Sequence, residues 1–135
     1  MRGASMDSQD IYQEYIIELY KNPLNFGAIV NADYSAEAFN PTCGDRIVLY
    51  LKVSNEKVTE ARHSGEGCAI SQASASLLTQ SMKGKTLEEL KALTKDDALR
   101  LLKIDLSKNP TRIRCALLPL DALRKAVMPR ELATV

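Results

Sequence analysis

The 135-residue chain has no tryptophan, one histidine, two phenylalanines and only three cysteines. With 5% aromatic residues it has too little ring surface for a base-stacking platform. A formal net charge of +1 is too small for bulk electrostatic binding of nucleic acid. No run of about 18 apolar residues occurs, which argues against a membrane-spanning helix. The opening Met1-Arg2-Gly3-Ala4-Ser5-Met6-Asp7 has a basic residue but no apolar stretch behind it, unlike an export signal. A soluble, cytoplasmic protein is expected, with residues 1–7 reading as a leader outside the fold. Three cysteines cannot all pair within one chain, and a cytosolic setting keeps thiols reduced, so the composition points to thiol chemistry.

The remaining composition, 45% hydrophobic and 26% charged, is ordinary for a soluble protein, and residues 1–135 read as a single domain. Charge is balanced only in the total. Residues 1–67 carry 6 basic and 10 acidic side chains, whereas residues 68–135 carry 12 basic and 7 acidic. The excess is densest from Arg100 to Arg130, where it forms either a solvated basic face or a docking patch for an acidic partner.

Apolar positions Ile11, Tyr12, Tyr15, Ile16, Leu19 and Tyr20 recur at helical spacing after a cap at Asp7 or Ser8, and the helix should end near Asn22-Pro23. A weak strand follows at Tyr34–Phe39. A strong one spans Arg46–Val53, with Ile47, Leu49, Leu51 and Val53 on one face. The turn Ser54-Asn55-Glu56-Lys57 returns the chain into a third, antiparallel strand, Val58–His63, closed by Gly65-Glu66-Gly67. The breaker-free, Ala- and Ser-rich stretch from Cys68 to about Met82 reads as a helix packed closely on the sheet. Thr86-Leu87-Glu88-Glu89 opens a short helix with a capping box, Lys95–Leu102 forms another, and a last helix follows Asn109-Pro110-Thr111. The expected class is α+β, a three-stranded antiparallel sheet packed with about five helices. Pro119 lacks an N–H for the carbonyl of Cys115, so the last helix should kink there or begin anew after a turn at residues 112–117.

The cysteines sit in distinctive surroundings. Cys43 precedes Gly44 and Asp45, Cys68 follows Gly65-Glu66-Gly67 at a helix start, and Cys115 lies early in the last helix. A helix N-terminus stabilises a thiolate, so Cys68, and by the same reasoning Cys115, are candidates for unusual reactivity. Zinc needs four ligands, and Asp45, two residues after Cys43, is the carboxylate nearest to that thiol in sequence. The spacing alone leaves three readings open: buried structural cysteines, a metal site, or thiol catalysis. His63 reads as a packed strand residue; a Cys-His nucleophile pair lacks a third orienting group.

These same segments carry a resemblance. Tyr20-Lys21-Asn22-Pro23-Leu24-Asn25-Phe26-Gly27, Asn40-Pro41-Thr42-Cys43-Gly44-Asp45, Gly65-Glu66-Gly67-Cys68-Ala69-Ile70-Ser71, Ser74-Ala75-Ser76, Lys83-Gly84-Lys85 and Ile113-Arg114-Cys115-Ala116 occur in this order over about residues 9 to 128. Together they resemble the IscU/SufU family of iron–sulfur cluster assembly scaffolds. The resemblance implies a three-stranded antiparallel sheet with packed helices, and Cys43, Cys68, Cys115 and Asp45 as ligands of Zn2+ or of a transient [2Fe-2S] cluster. It implies persulfide sulfur arriving from a cysteine desulfurase, with Cys115 and Cys43 as candidate acceptors. Recipient apo iron–sulfur proteins or carriers would take the finished cluster. Soft thiolates suit zinc and iron–sulfur clusters alike, and one oxygen ligand keeps such a site easier to open.

Two departures place the chain between branches. Arg114 stands where the IscU branch has a histidine, as the SufU branch commonly has a basic residue, and Arg cannot ligate a cation at neutral pH, which leaves Asp45 as the fourth ligand. Only 46 residues separate Cys68 from Cys115, close to the IscU length and without most of the insertion usual in SufU. Lys108-Asn109-Pro110-Thr111-Arg112 stands in place of the Leu-Pro-Pro-Val-Lys site for a dedicated Hsp70 chaperone, so the resemblance does not extend to chaperone-assisted transfer. The leading expectation is a cluster scaffold. The alternatives are a zinc-dependent sulfurtransferase relaying sulfur from the desulfurase and a small structural zinc domain. Hydrolytic zinc chemistry fits least, because three thiolates make the metal a poor Lewis acid.

Overall fold

The structure is a computed structural model that describes residues 8–127. The expected leader, the Asp7 cap and Arg130 lie outside the described residues. Along the chain run α1 (Ser8–Lys21), β1 (Tyr34–Asn40), β2 (Asp45–Ser54), β3 (Lys57–Glu66), α2 (Ala69–Met82), α3 (Leu87–Lys91), α4 (Lys95–Leu102) and α5 (Pro110–Val127). The strands form one antiparallel sheet in the order β1-β2-β3, so the expected α+β architecture is present.

Alternation along β2 turns Ile47, Leu49 and Leu51 into the core, each fully buried. Val53 is only partly buried, because the β2/β3 register shifts between Lys52 and Val53. The hairpin turn has both central residues left-handed, Asn55 at φ 54° and Glu56 at φ 65°, the backbone of a tight primed turn. Strand β3 runs past His63 to Glu66, beyond the expected end. Gly65 allows this: at φ +119° it pairs with Ile47, and a Cβ there would lie 2.1 Å from the Arg46 carbonyl oxygen. A residue expected to stop the strand instead carries it to the site.

Small side chains let α2 sink between sheet and helices; Ala73, Ala75, Ser71, Ser76 and Thr79 are fully buried. The Ser74 hydroxyl donates to the Ala116 carbonyl at 2.6 Å and Thr79 donates to Ala75 at 2.7 Å, so burying these polar groups leaves neither hydroxyl unpaired. Thr86 and Glu89 close the expected capping box on α3, and Thr94 and Asp97 close a second on α4. Helix α5 is continuous from Pro110 to Val127 with Pro119 inside it, so the expectation of a separate helix after residues 112–117 does not hold. The Pro119 ring is fully buried, and packing offsets the missing hydrogen bond.

On α1 only part of the expected apolar face is buried. Ile16 and Leu19 pack with Ile70, Ala73, Cys115 and Ala116, whereas Tyr15 and Tyr20 are 45% and 51% exposed. The side chains of Ile11 and Tyr12 lie outside the described residues. No helix among the described residues is long and apolar enough to cross a membrane.

Candidate metal centre

Three segments distant in sequence meet at one edge of the molecule. The first is the turn between β1 and β2. Asn40, the last residue of β1, is buried; its carbonyl accepts from the Gly44 N–H at 2.7 Å and its side-chain oxygen from the Thr42 N–H at 3.1 Å. Its amide nitrogen lies 3.7 Å from Cys43 Sγ. With Gly44 at φ +75°, the chain reverses within one residue, so Cys43 and Asp45 converge instead of projecting in parallel as they would along a strand. Asp45 is then the first residue of β2 and is buried.

The second segment is the junction of β3 and α2. Cys68 is the N-cap of α2, with an exposed sulfur that caps no backbone group and no acidic residue in the helix's first turn. Its N–H donates to Asp45 Oδ1 at 3.2 Å. Gly67 makes room for this contact: a Cβ there would lie 2.8 Å from Asp45 Cγ and 2.6 Å from Ser71 Oγ. The third segment is α5, which presents Cys115 from its second turn.

Cys43 Sγ and Cys115 Sγ are 3.6 Å apart. The ligand atoms of Cys43, Asp45 and Cys115 all lie within 4.8 Å of one another, a group that does not include the Cys68 sulfur. Asp45 Oδ2 is buried with no hydrogen-bond partner among the described residues, an arrangement that costs about 1–3 kcal/mol unless a cation or donor satisfies it. Two soft thiols, an orphaned carboxylate oxygen and a third thiol beside them fit a thiolate-preferring dication such as zinc. Cys115 does not have the low pKa expected of an N-terminal helix position. Burial, and then the Asp45 carboxylate and the Cys43 and Cys68 sulfurs, push its thiol well above the ordinary range. It lies too far along α5 for the free N–H groups to act on it, and it is 3% exposed.

The group opens onto a cleft of about 710 Å³ whose walls include Ile16, Ile17, Leu106 and Arg112. Arg112 therefore stands in the cleft with the cysteines. Arg114 lines a different groove with Phe39, Lys95 and Asp121, because two residues along a helix rotate a side chain to another face.

His63 is not part of the metal centre. It is fully buried, Nε2 donates to the Leu24 carbonyl at 2.9 Å, and its ring meets Phe26 edge-on at 5.4 Å, pinning the loop between α1 and β1. Burial lowers its pKa despite the opposing pull of that carbonyl. The packed-strand reading holds. Asn40 and Ser71 support the site yet carry no individual sequence signal: Ser71 donates to the Cys68 carbonyl at 3.1 Å and lies 3.9 Å from its sulfur.

The model of the NifU-like N terminal domain family matches residues 11–131. The chain belongs to this family. Within it, the chain is 40% identical to the zinc-dependent sulfurtransferase SufU of Bacillus subtilis, over 96% of each chain. That alignment spans 144 positions against 135 residues here, so the relative has residues with no counterpart in this chain. Identity to the iron–sulfur cluster assembly scaffold protein IscU of Escherichia coli K12 is 37%, covering 86% of this chain and 91% of the relative. Among solved structures, a putative iron–sulfur cluster assembly scaffold for the SUF system from Fervidobacterium islandicum superposes with a TM-score of 0.73 at 29% identity, covering 90% of this chain and 99% of that one. The NifU-like fold thus agrees with the sheet order and helix content described above.

Proposed function

We propose that this NifU-like protein is an iron–sulfur cluster assembly scaffold of the cytoplasm, acting as one domain. It accepts persulfide sulfur from a cysteine desulfurase, assembles a [2Fe-2S] cluster on Cys43, Cys68, Cys115 and Asp45, and delivers it to apo proteins. The observation that carries this reading is the convergence of Cys43, Asp45 and Cys115 within 4.8 Å around an unpartnered carboxylate oxygen. Cys43 is exposed and Cys115 buried, which supports Cys43 as the thiol that first meets the desulfurase. Asp45, held by the Cys68 N–H through Oδ1, leaves Oδ2 buried without a partner. The cleft wall of Ile16, Ile17 and Leu106 limits water around the cysteines, and Arg112 offsets the negative charge of a thiolate-bound cluster.

A second reading, a zinc-dependent sulfurtransferase, is favoured by the 40% identity to the relative of that name and by Arg114 facing away from the centre. In it Cys43, Asp45, Cys68 and Cys115 would hold zinc, which keeps bound thiols deprotonated at neutral pH. A purely structural zinc site is disfavoured by two exposed cysteines on an open cleft. Two assays on one preparation separate the first two readings. Anaerobic supply of iron, cysteine and desulfurase is expected to produce [2Fe-2S] absorption. Desulfurase stimulation by the zinc form without any such absorption would overturn the scaffold in favour of the relay.

A further inference from the structure

The cluster a scaffold builds contains sulfide, whereas a persulfide delivers sulfur two electrons more oxidised. We infer that Cys115 is a resolving thiol that converts a persulfide on Cys43 into sulfide, with the Cys43–Cys115 pair itself as the reductant. This rests on the proposed acceptance of sulfur by Cys43. The geometry is the 3.6 Å separation of the two sulfurs, one exposed and one buried. An exposed acceptor can be reached by a partner, while a buried neighbour meets only what is attached to that acceptor. The Cys68 sulfur also acts on the Cys115 thiol, but it is not in the group of mutually close ligand atoms, and the 3.6 Å sulfur contact of Cys115 is with Cys43, which makes Cys43 the matching partner.

The step balances without an outside oxidant or reductant. Cys115 Sγ gives up its proton as it attacks the inner sulfur of the Cys43 persulfide, Cys43 Sγ. The bond between Cys43 Sγ and the outer sulfur breaks as the Cys43–Cys115 bond forms. The outer sulfur takes two electrons, one from each cysteine, and departs with the Cys115 proton as hydrosulfide. Hydrosulfide is a weaker base than an alkyl thiolate and is the better leaving group. Asp45, a carboxylate oxygen of which lies within 4.8 Å of Cys115 Sγ, is placed to carry that proton between them. The product disulfide would line the cleft, with its exposed Cys43 side open to reduction by a small thiol that resets the pair.

The test loads the full chain, freed of metal with a chelator, using desulfurase and cysteine. The desulfurase is then removed and thiol reductant is left out. Released sulfide is trapped with a bimane reagent while the alkylated protein is mapped by mass spectrometry. Wild type is expected to release one sulfide per chain and then stop, leaving Cys43 joined to Cys115. C115S is expected to retain one extra sulfur on Cys43 and to release sulfide at least about a hundredfold more slowly, since a neighbouring thiol in place outcompetes thiols in solution by that factor or more. Peptide mapping of the wild-type disulfide decides the point even if C115S does not fold. A stable persulfide on wild-type Cys43, a disulfide to Cys68, or unchanged release by C115S overturns the exchange and leaves sulfur acceptance standing. Absence of extra sulfur and of disulfide on every form overturns acceptance itself, and this inference with it.

Discussion

Replacing Gly67 with alanine isolates the role of Asp45 without changing any of the proposed ligands. The backbone at residue 67 is not left-handed, so the whole effect of Gly67→Ala is steric. The added Cβ would stand 2.6 Å from Ser71 Oγ, 2.8 Å from Asp45 Cγ and 2.9 Å from Asp45 Oδ1, all inside the 3.0 Å that real Cβ atoms keep. The buried carboxylate must turn away, and the 3.2 Å bond from the Cys68 N–H to Oδ1 is lost. Either the overlap persists or the bond breaks, and each costs about 1–3 kcal/mol; because one relieves the other they do not add. Misorienting a ligand by this route should weaken zinc binding by about 10–100-fold. Zinc affinity would be measured by chelator competition and stability by urea unfolding. Gly84→Ala is the control: its φ of +84° imposes about 1–2 kcal/mol of backbone strain, with no atom within 4 Å and no contact with the site. Wild-type zinc affinity in Gly67→Ala, or an equal loss in Gly84→Ala, would refute the idea that Gly67 exists to seat Asp45.

Asp45→Cys, which offers a softer and tighter ligand than a carboxylate, should slow transfer of a reconstituted cluster to an apo acceptor; unchanged transfer in a visible-absorption assay would show that the oxygen ligand does not set release. His63 is held neutral by burial, with its folded pKa below the ordinary 6.5. The unfolded chain therefore takes up its proton first, so the stability His63 contributes is complete above pH 6.5 and is lost as pH falls toward the lowered folded value, by at most about 1.4 kcal/mol per pH unit. Urea midpoints at about pH 7.5 and about pH 5.5 should show this slope in wild type and a smaller one in His63→Gln. Arg112→Glu, on the wall of the cysteine cleft, should weaken desulfurase binding more at low salt than at 0.1 M or above, where screening acts over about 10 Å; equal loss at all salt concentrations would remove the steering role.

The parts of the fold that read easily were those set by a strict period or a local motif. Ile47, Leu49 and Leu51 alternate and are buried, and Thr86 with Glu89 caps α3. Where tertiary packing decides, the periodicity misleads. Tyr15 and Tyr20 share helical spacing with Ile16 and Leu19 but lie partly in solvent, because the contact on α2 is narrower than the apolar stripe. Gly65 is a stop signal by composition but lies within β3, since its freedom serves a close approach to β2. At the site, Cys43, Asp45 and Cys115 were nameable from sequence. The burial that raises the Cys115 thiol and the turning away of Arg114 were not, because both depend on which face of α5 meets α2 and the sheet. Asn40 is legible only as part of a motif; its contact with Cys43 Sγ needs the backbone reversal at Gly44.

The three cysteines come from a strand-to-strand turn, the cap of α2 and the interior of α5. Anything that ties them together, ion, cluster or sulfur–sulfur bond, closes long loops of the chain and so stabilises the whole fold along with the site. Cargo and fold are thereby linked: a loaded molecule should resist protease and heat better than an empty one. Under the proposed function, a recipient that draws the cluster away would work against that added stability, and a carboxylate among the ligands would lower the amount it has to overcome.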